Sequence, residues 1–186
     1  MGNFLPEDYV PPTATSDYMK LVAGSNRFRW LGSFKSKPPT AIMGWEAWDE
    51  DANGRRPIRF RMADQPAAGT FNEDAKHFWA FTVFNVQDKV FQILELTQKS
   101  ILNDLGKLIE DPEWGNPSGP DGYDIEIFRV GEGKETRYQT QPKPRAPMDP
   151  LATELARPVN LDALFTGENP FEVQLTEKLE EEGPPF

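Results

Sequence analysis

With 186 residues, the chain can bury one sizeable core and does not call for a second domain. It has no cysteine, which excludes disulfides, thiolate metal sites and cysteine nucleophiles and suits a reducing cytoplasm, and its one histidine, His77, cannot build a zinc site alone. A formal net charge of −10 argues at first against a polyanionic partner, while 18 prolines and 14 glycines point to short elements, hence to a β-rich domain.

Residues 1–23, rich in Pro, Thr and acid with Pro11-Pro12 in the middle, read as an extended N-terminal arm. Met1 to Asp8 carries acids and a proline where a signal peptide would carry bases and then an apolar run, and no stretch approaches the roughly 20 apolar residues that cross a bilayer. The expectation is a cytoplasmic protein without a membrane partner. From Asn26 the pattern has period two, Phe28 and Trp30 alternating with Arg27 and Arg29, as in a strand with one face on a core. After Lys37-Pro38-Pro39, Ile42 to Trp48 reads as a second strand, stopped at the turn Asp51-Ala52-Asn53-Gly54. Ile58, Phe60 and Met62 then alternate with Arg59 and Arg61, a second arginine-faced strand.

Phe78 to Phe84 is apolar on both faces, as a central buried strand would be, and Val90 to Leu96 is its hairpin partner. A helix follows, with Thr97 as the expected N-cap, Ile101, Leu102, Leu105, Leu108 and Ile109 on one face, and Pro112 as its stop. Tyr123 to Ile127 and Glu135 to Gln141 form a closing strand pair, and Pro142 to Pro147 marks the domain's end. Strands, a long hairpin, one helix and two closing strands match a five-stranded OB-like barrel over residues 24–145, the type that offers its second and third strands to single-stranded nucleic acid.

The acidity belongs to the ends. Residues 20–145 hold 18 Lys and Arg against 18 Asp and Glu, whereas residues 146–186 hold two bases against nine acids and read as a flexible acidic tail in which Leu161-Asp162-Ala163-Leu164-Phe165 could dock locally. Residues 27–61 carry eight bases (Arg27, Arg29, Lys35, Lys37, Arg55, Arg56, Arg59, Arg61) against four acids, and would gather them in one region if the arginine-faced strands paired. Single strands are held by aromatic faces that stack on bases and by cations that track phosphates. The expected binding set is therefore Arg27, Arg29, Trp45, Trp48, Arg55, Arg56, Arg59, Arg61, Lys76, His77 and Trp79, with Phe28, Trp30 and Phe60 assigned by period to the core.

The last residues, Glu180-Glu181-Glu182-Gly183-Pro184-Pro185-Phe186, close an acidic run with two prolines and an aromatic. Prolines hold the end extended, and a terminal ring beside its α-carboxylate suits an apolar pocket with a basic rim on a partner protein. This tip resembles that of bacterial SSB proteins, and the OB-like core with one acidic tail resembles the single-stranded DNA-binding proteins of bacteriophages. It departs from bacterial SSB in having Gly183-Pro184 where aspartates and an isoleucine are usual, and it lacks the cysteine-rich zinc site of some phage relatives. The resemblance implies a non-enzymatic role without cofactor. The protein would bind single-stranded DNA with little sequence preference during phage DNA replication, recombination and repair, and recruit enzymes of those processes through Glu180, Glu181, Glu182, Pro184, Pro185 and Phe186.

Catalytic patterns are weak. Pro120-Asp121 with Glu132-Gly133-Lys134 fits the loose Pro-Asp…Glu-x-Lys signature of metal-dependent nucleases, but the Glu-x-Lys lies in a Gly-x-Gly turn instead of on a core strand. His77 has no nucleophile elbow near it, and no P-loop occurs. The rival from another class is a non-catalytic phage adaptor or structural module that joins proteins and binds no nucleic acid.

Overall fold

The structure, a computed structural model, describes residues 16–173. It is β-rich, with a mixed sheet of eight strands. These are β1 (Tyr18–Met19), β2 (Gly24–Trp30), β3 (Ala41–Asp51), β4 (Gly54–Arg61), β5 (Lys76–Asn85), β6 (Val90–Leu96), β7 (Asp124–Val130) and β8 (Arg137–Pro142). Three helices accompany them: α1 (Lys99–Glu110), α2 (Pro150–Glu154) and α3 (Ala163–Thr166). The order along the sheet is β1-β6-β5-β2-β7-β8, with β3 between β5 and β4, and the path does not close. A five-stranded barrel with one helix is therefore too small a description.

The branch arises on β5. Its edge opposite β6 is shared, residues 76–81 pairing with β3 and residues 83–85 with β2, all antiparallel. Trp48 opposes Pro57 and Asp51 opposes Gly54 in the β3–β4 hairpin, whose turn is closed by Gly54 at φ +116, a backbone state that side chains disfavour. At the far end Tyr18 and Met19 run parallel to β6, so the end of the expected extended arm contributes a short edge strand.

Because side chains alternate across a strand, the sheet has two faces, and both are covered. On the first, Phe28, Trp30, Phe81, Val83, Leu94, Ile125 and Ile127 pack under Ile101, Leu102 and Leu105 of α1, the helical face read from the sequence. Trp30 stacks flat on Phe81 with ring centroids 3.6 Å apart. On the second, Ile42, Phe78, Ala80 and Ile93 are covered by Val159, Leu161 and Leu164 from the C-terminal segment. Gly44 is required here, since a Cβ would meet the Phe60 carbonyl and the Phe165 and Phe78 rings.

The packed domain thus extends well past the boundary expected at residue 145. Leu161 is fully buried and donates its N–H to the Pro39 carbonyl at 3.0 Å, and Asp149 caps α2 by accepting from Leu151 N–H. The apolar quartet Val159, Leu161, Leu164 and Phe165 makes this segment a strap across the second face, despite its prolines and acids. Glu126 pins the opposite flank. It accepts from Ser25 Oγ at 2.6 Å and Gln141 Nε2 at 2.6 Å and pairs with Lys143 Nζ at 3.0 Å, which together hold its carboxyl down to about 2.

Leu161→Ala is expected to cost about 2–5 kcal/mol of unfolding free energy in urea, as a fully buried leucine does. Truncation after residue 145 should abolish cooperative unfolding, because it uncovers Ile42, Phe78, Ala80 and Ile93 together. An unchanged urea midpoint in either variant would show the strap to be separable from the domain.

Candidate functional site

The strand registers decide where each expected binding residue points. Trp45 opposes both Phe60 and His77, and Met43 opposes Trp79, so Phe60, Trp45, His77 and Trp79 lie on the α1 face, with Trp79 packed against the edge of the helix-covered core. Their arginine neighbours lie on the opposite face. Alternation sends Arg55, Arg59 and Arg61 of β4, with Trp48 of β3, to the strap side, and Arg27 and Arg29 of β2 likewise. Strands β2 and β4 do not pair, since β3 and β5 intervene, and the eight bases of residues 27–61 do not gather in one region.

Arg29 was expected to face a ligand and instead is buried at 2% exposure. Its Nε pairs with Asp124 Oδ1 at 2.7 Å, and its terminal nitrogens donate to the carbonyls of Gly119 and Ala146. Arg27 shares the same aspartate at 2.8 Å. Arg59 is similarly consumed, lying between Glu46 at 3.1 Å and Glu95 at 2.9 Å. In both cases the period-two reading gave the correct face. It erred on what covers that face, because Asp124 and Glu95 come from strands far away in sequence, while Glu46 sits directly across the β3–β4 hairpin from Arg59. Arg55 lies over the Trp48 ring at 4.9 Å and near Glu73, Arg56 faces Asp49 and Asp51, and Arg61 pairs with Asp162 of the strap at 3.2 Å while lying over Phe165. These three are exposed, and ion pairs of that kind exchange readily with other anions. Lys76 is exposed on the strap side of β5.

What the fold does assemble is a run of aromatic rings. Phe34, 44% exposed in the loop after β2, meets the Trp79 ring edge-on at a centroid distance of 6.3 Å, Trp79 meets His77 at 6.5 Å, and His77 meets Trp45 at 5.4 Å. Phe60 and Phe71 continue it at 6.0 Å from each other. The run is held by hydrogen bonds as well as by packing. Trp79 Nε1 donates to His77 Nε2 at 3.0 Å, which makes Nε2 an acceptor and leaves the proton on Nδ1, whose partner is the Gly44 carbonyl at 2.9 Å. Trp45 Nε1 donates to the Met62 carbonyl at 3.3 Å. Rings fixed in this way lose little entropy when a flat ligand stacks on them.

Phe34 was missed because it lies outside the period-two segments. Its signal was the company of Lys35 and Lys37, two exposed cations that make no ion pair among the described residues. Phe60, assigned to the core by period, is only half-buried, because α1 ends before reaching it. Of the nuclease-like pattern, Gly133–Glu135 forms a 3-10 turn between β7 and β8, and no group of three or more acidic residues or histidines that could hold a metal ion occurs among the described residues. The expected docking tip, Glu180, Glu181, Glu182, Pro184, Pro185 and Phe186, lies outside the described residues. Among the described residues, no helix is long and apolar enough to cross a membrane.

Two carboxylates sharing Arg59 leave one buried charge without compensation. Burial pushes the Glu95 carboxyl up, Glu46 adds to the rise, and Arg59 opposes it. A carboxyl raised on folding stabilises the protein below its unfolded pKa and loses that contribution as pH rises through the folded value. Glu95→Gln stays neutral throughout and leaves Arg59 its bond to Glu46. Its unfolding free energy relative to wild type should therefore rise with pH across and above the ordinary carboxylate range, then level off. Parallel pH profiles for the two proteins would contradict this.

The sequence matches no known protein-family model, and a search of curated proteins finds no match to it.

Proposed function

We propose that the protein binds single-stranded DNA along the aromatic run Phe34-Trp79-His77-Trp45, with Lys35 and Lys37 meeting the phosphates. The observation that carries this reading is the run itself. Four fixed rings in succession, partly open and beside two exposed lysines, are what a base-tolerant single-strand site needs, because every base has a stackable face and phosphates are read by charge alone. The branching of β5 supports a sheet curled in the manner of a partly open OB barrel, with β3, β4 and the flanking loops as the binding side. Sequence preference is expected to be weak, since the run offers faces and few base-edge donors.

The preference for DNA over RNA, the role in phage replication, recombination and repair in the host cytoplasm, and the recruitment of enzymes through the Phe186 tip follow from the resemblance to phage and bacterial SSB proteins. No catalysis and no cofactor enter this function. The alternative, a protein-joining adaptor, has one observation in its favour: Phe128 and Val130 are exposed side by side on the strap face of β7, at 40% and 49%. An apolar pair of that size fits a protein contact.

Phe34→Ala and Trp45→Ala should each weaken binding of a labelled oligo-dT by about 1–3 kcal/mol without changing the urea midpoint by much, since both rings are partly exposed. Lys35→Ala with Lys37→Ala should flatten the salt dependence by roughly 0.7 in log–log slope for each phosphate that is no longer neutralised. Arg29→Ala should instead cost about 3–5 kcal/mol in stability, because it leaves Asp124 buried with only Arg27. Oligo-dT affinity that is unchanged in the folded Phe34, Trp45 and lysine variants would exclude the aromatic run as the site.

A further inference from the structure

A second site lies away from the aromatic run, at the free edge of β1. There a cavity of about 740 Å³ opens between β1 with the residues after it and the β7–β8 pair, and its lining includes Tyr18, Lys20, Glu95, Gln98, Arg129 and Tyr138. Its apolar wall is Met19, Leu21 and Leu94. The volume is in the range of small-molecule sites, several times that of a few ordered waters.

The wall carries unmet hydrogen-bonding capacity. Among the described residues, three buried side-chain polar atoms have no partner: Glu95 Oε1, Arg129 Nε and Thr140 Oγ1. Two belong to lining residues, and Thr140 follows Tyr138 by one repeat of the β8 pleat on the same face. Each such atom ordinarily costs stability, and native proteins rarely keep them, so two on the lining of one cavity mark a place where polar groups of a ligand complete the set. Each of the two lining side chains has one other atom engaged. Glu95 Oε2 is held by Arg59 at 2.9 Å, and Arg129 Nη1 donates to the Leu21 carbonyl at 2.9 Å, so both are braced in place.

We propose that this cavity binds a nucleotide, a heterocycle carrying a phosphate, either free or at the end of a single strand. Arg129 and the exposed Lys20 supply the phosphate-binding charge, and Lys20 makes no ion pair among the described residues. Glu95 Oε1 accepts from an exocyclic amino group, and Tyr18 and Tyr138 with Leu21 and Met19 provide flat and apolar surface for the heterocycle. A guest of amino-acid size would leave much of 740 Å³ unfilled. Arg59 also lines the cavity but is held by Glu46 and Glu95, and the pairing of one carboxylate acceptor with Lys20 and Arg129 favours a base-plus-phosphate over a simple anion. The inference deepens the single-strand reading when the guest is a strand end, and stands apart from it when the guest is a free nucleotide.

The test uses the full-length chain and isothermal titration calorimetry with dAMP, dCMP and deoxyadenosine, and with short oligo-dA bearing or lacking a 5′-phosphate. The expected result is saturable binding of a nucleoside monophosphate at least tenfold tighter than that of the nucleoside. It should be weakened at least fivefold by Lys20→Ala, an exposed change that spares the fold, and by Arg129→Gln, yet left intact by Phe34→Ala on the aromatic run. Tighter binding of the 5′-phosphorylated oligonucleotide that is lost in Lys20→Ala would assign the strand end, and its absence alongside dAMP or dCMP binding would assign the free nucleotide. No heat with any nucleotide, or equal binding by wild type and Lys20→Ala, would overturn the proposal and leave a water-filled cavity. Loss of oligo-dT binding in Phe34→Ala with nucleotide binding retained would keep the two sites distinct.

Discussion

The fold depends on the way β5 divides one edge between two partners. Residues 76–81 take β3 and residues 83–85 take β2, while β6 runs along the whole opposite edge. A strand with neighbours on both edges and apolar residues on both sides must be covered twice, and Phe78 to Asn85 is buried nearly without interruption. Helix α1 supplies one cover and the strap of residues 146–172 the other. Neither cover reaches the β3–β4 end of the α1 face, and that is where the aromatic rings emerge.

The same division separates the two ingredients that single-strand binding combines. Aromatics of β3, β4 and β5 share the α1 face, whereas alternation sends most arginines of those strands to the strap face, where Asp124, Glu46, Glu95 and Asp162 meet them. Buried arginines with two carboxylate or carbonyl partners are structural joints. They tie β2 to β7 and β4 to β6, and their charge is spent within the protein. Among the expected cations, those that are exposed and make no ion pair among the described residues are Lys35 and Lys37 in the loop after β2 and Lys76 on β5, which fits a chain that is strongly acidic overall and still presents a local cationic rim.

Much of the architecture was legible in the sequence, and the reasons differ by element. The central strand, its hairpin partner and α1 are marked by long runs of one period, and all three lie within a residue or two of their expected limits. The strap was legible only as Leu161 to Phe165, a segment able to dock locally. Val159, Leu161 and Leu164 are too few and too close to prolines to show a period, and their burial comes wholly from packing against residues far earlier in the chain. For the candidate site, the residue types were readable and the faces were too, but the neutralisation of Arg29 and Arg59 was not, because it depends on a register between distant strands. Phe34 sat in a loop, where periodicity is silent.

In the proposed binding mode a single strand stacks on the α1-face rings and leaves the arginine face alone. The five indole N–H groups report on this separately, since Trp79 donates to His77, Trp45 to the Met62 carbonyl and buried Trp30 to the Gly32 carbonyl, while Trp48 lies on the other face under Arg55. Heteronuclear NMR of the indole region during titration with oligo-dT should move Trp79 and Trp45 together and saturably, with Trp48 and Trp30 nearly still. Shifts confined to Trp48, or no indole shift at saturating oligonucleotide, would contradict the account.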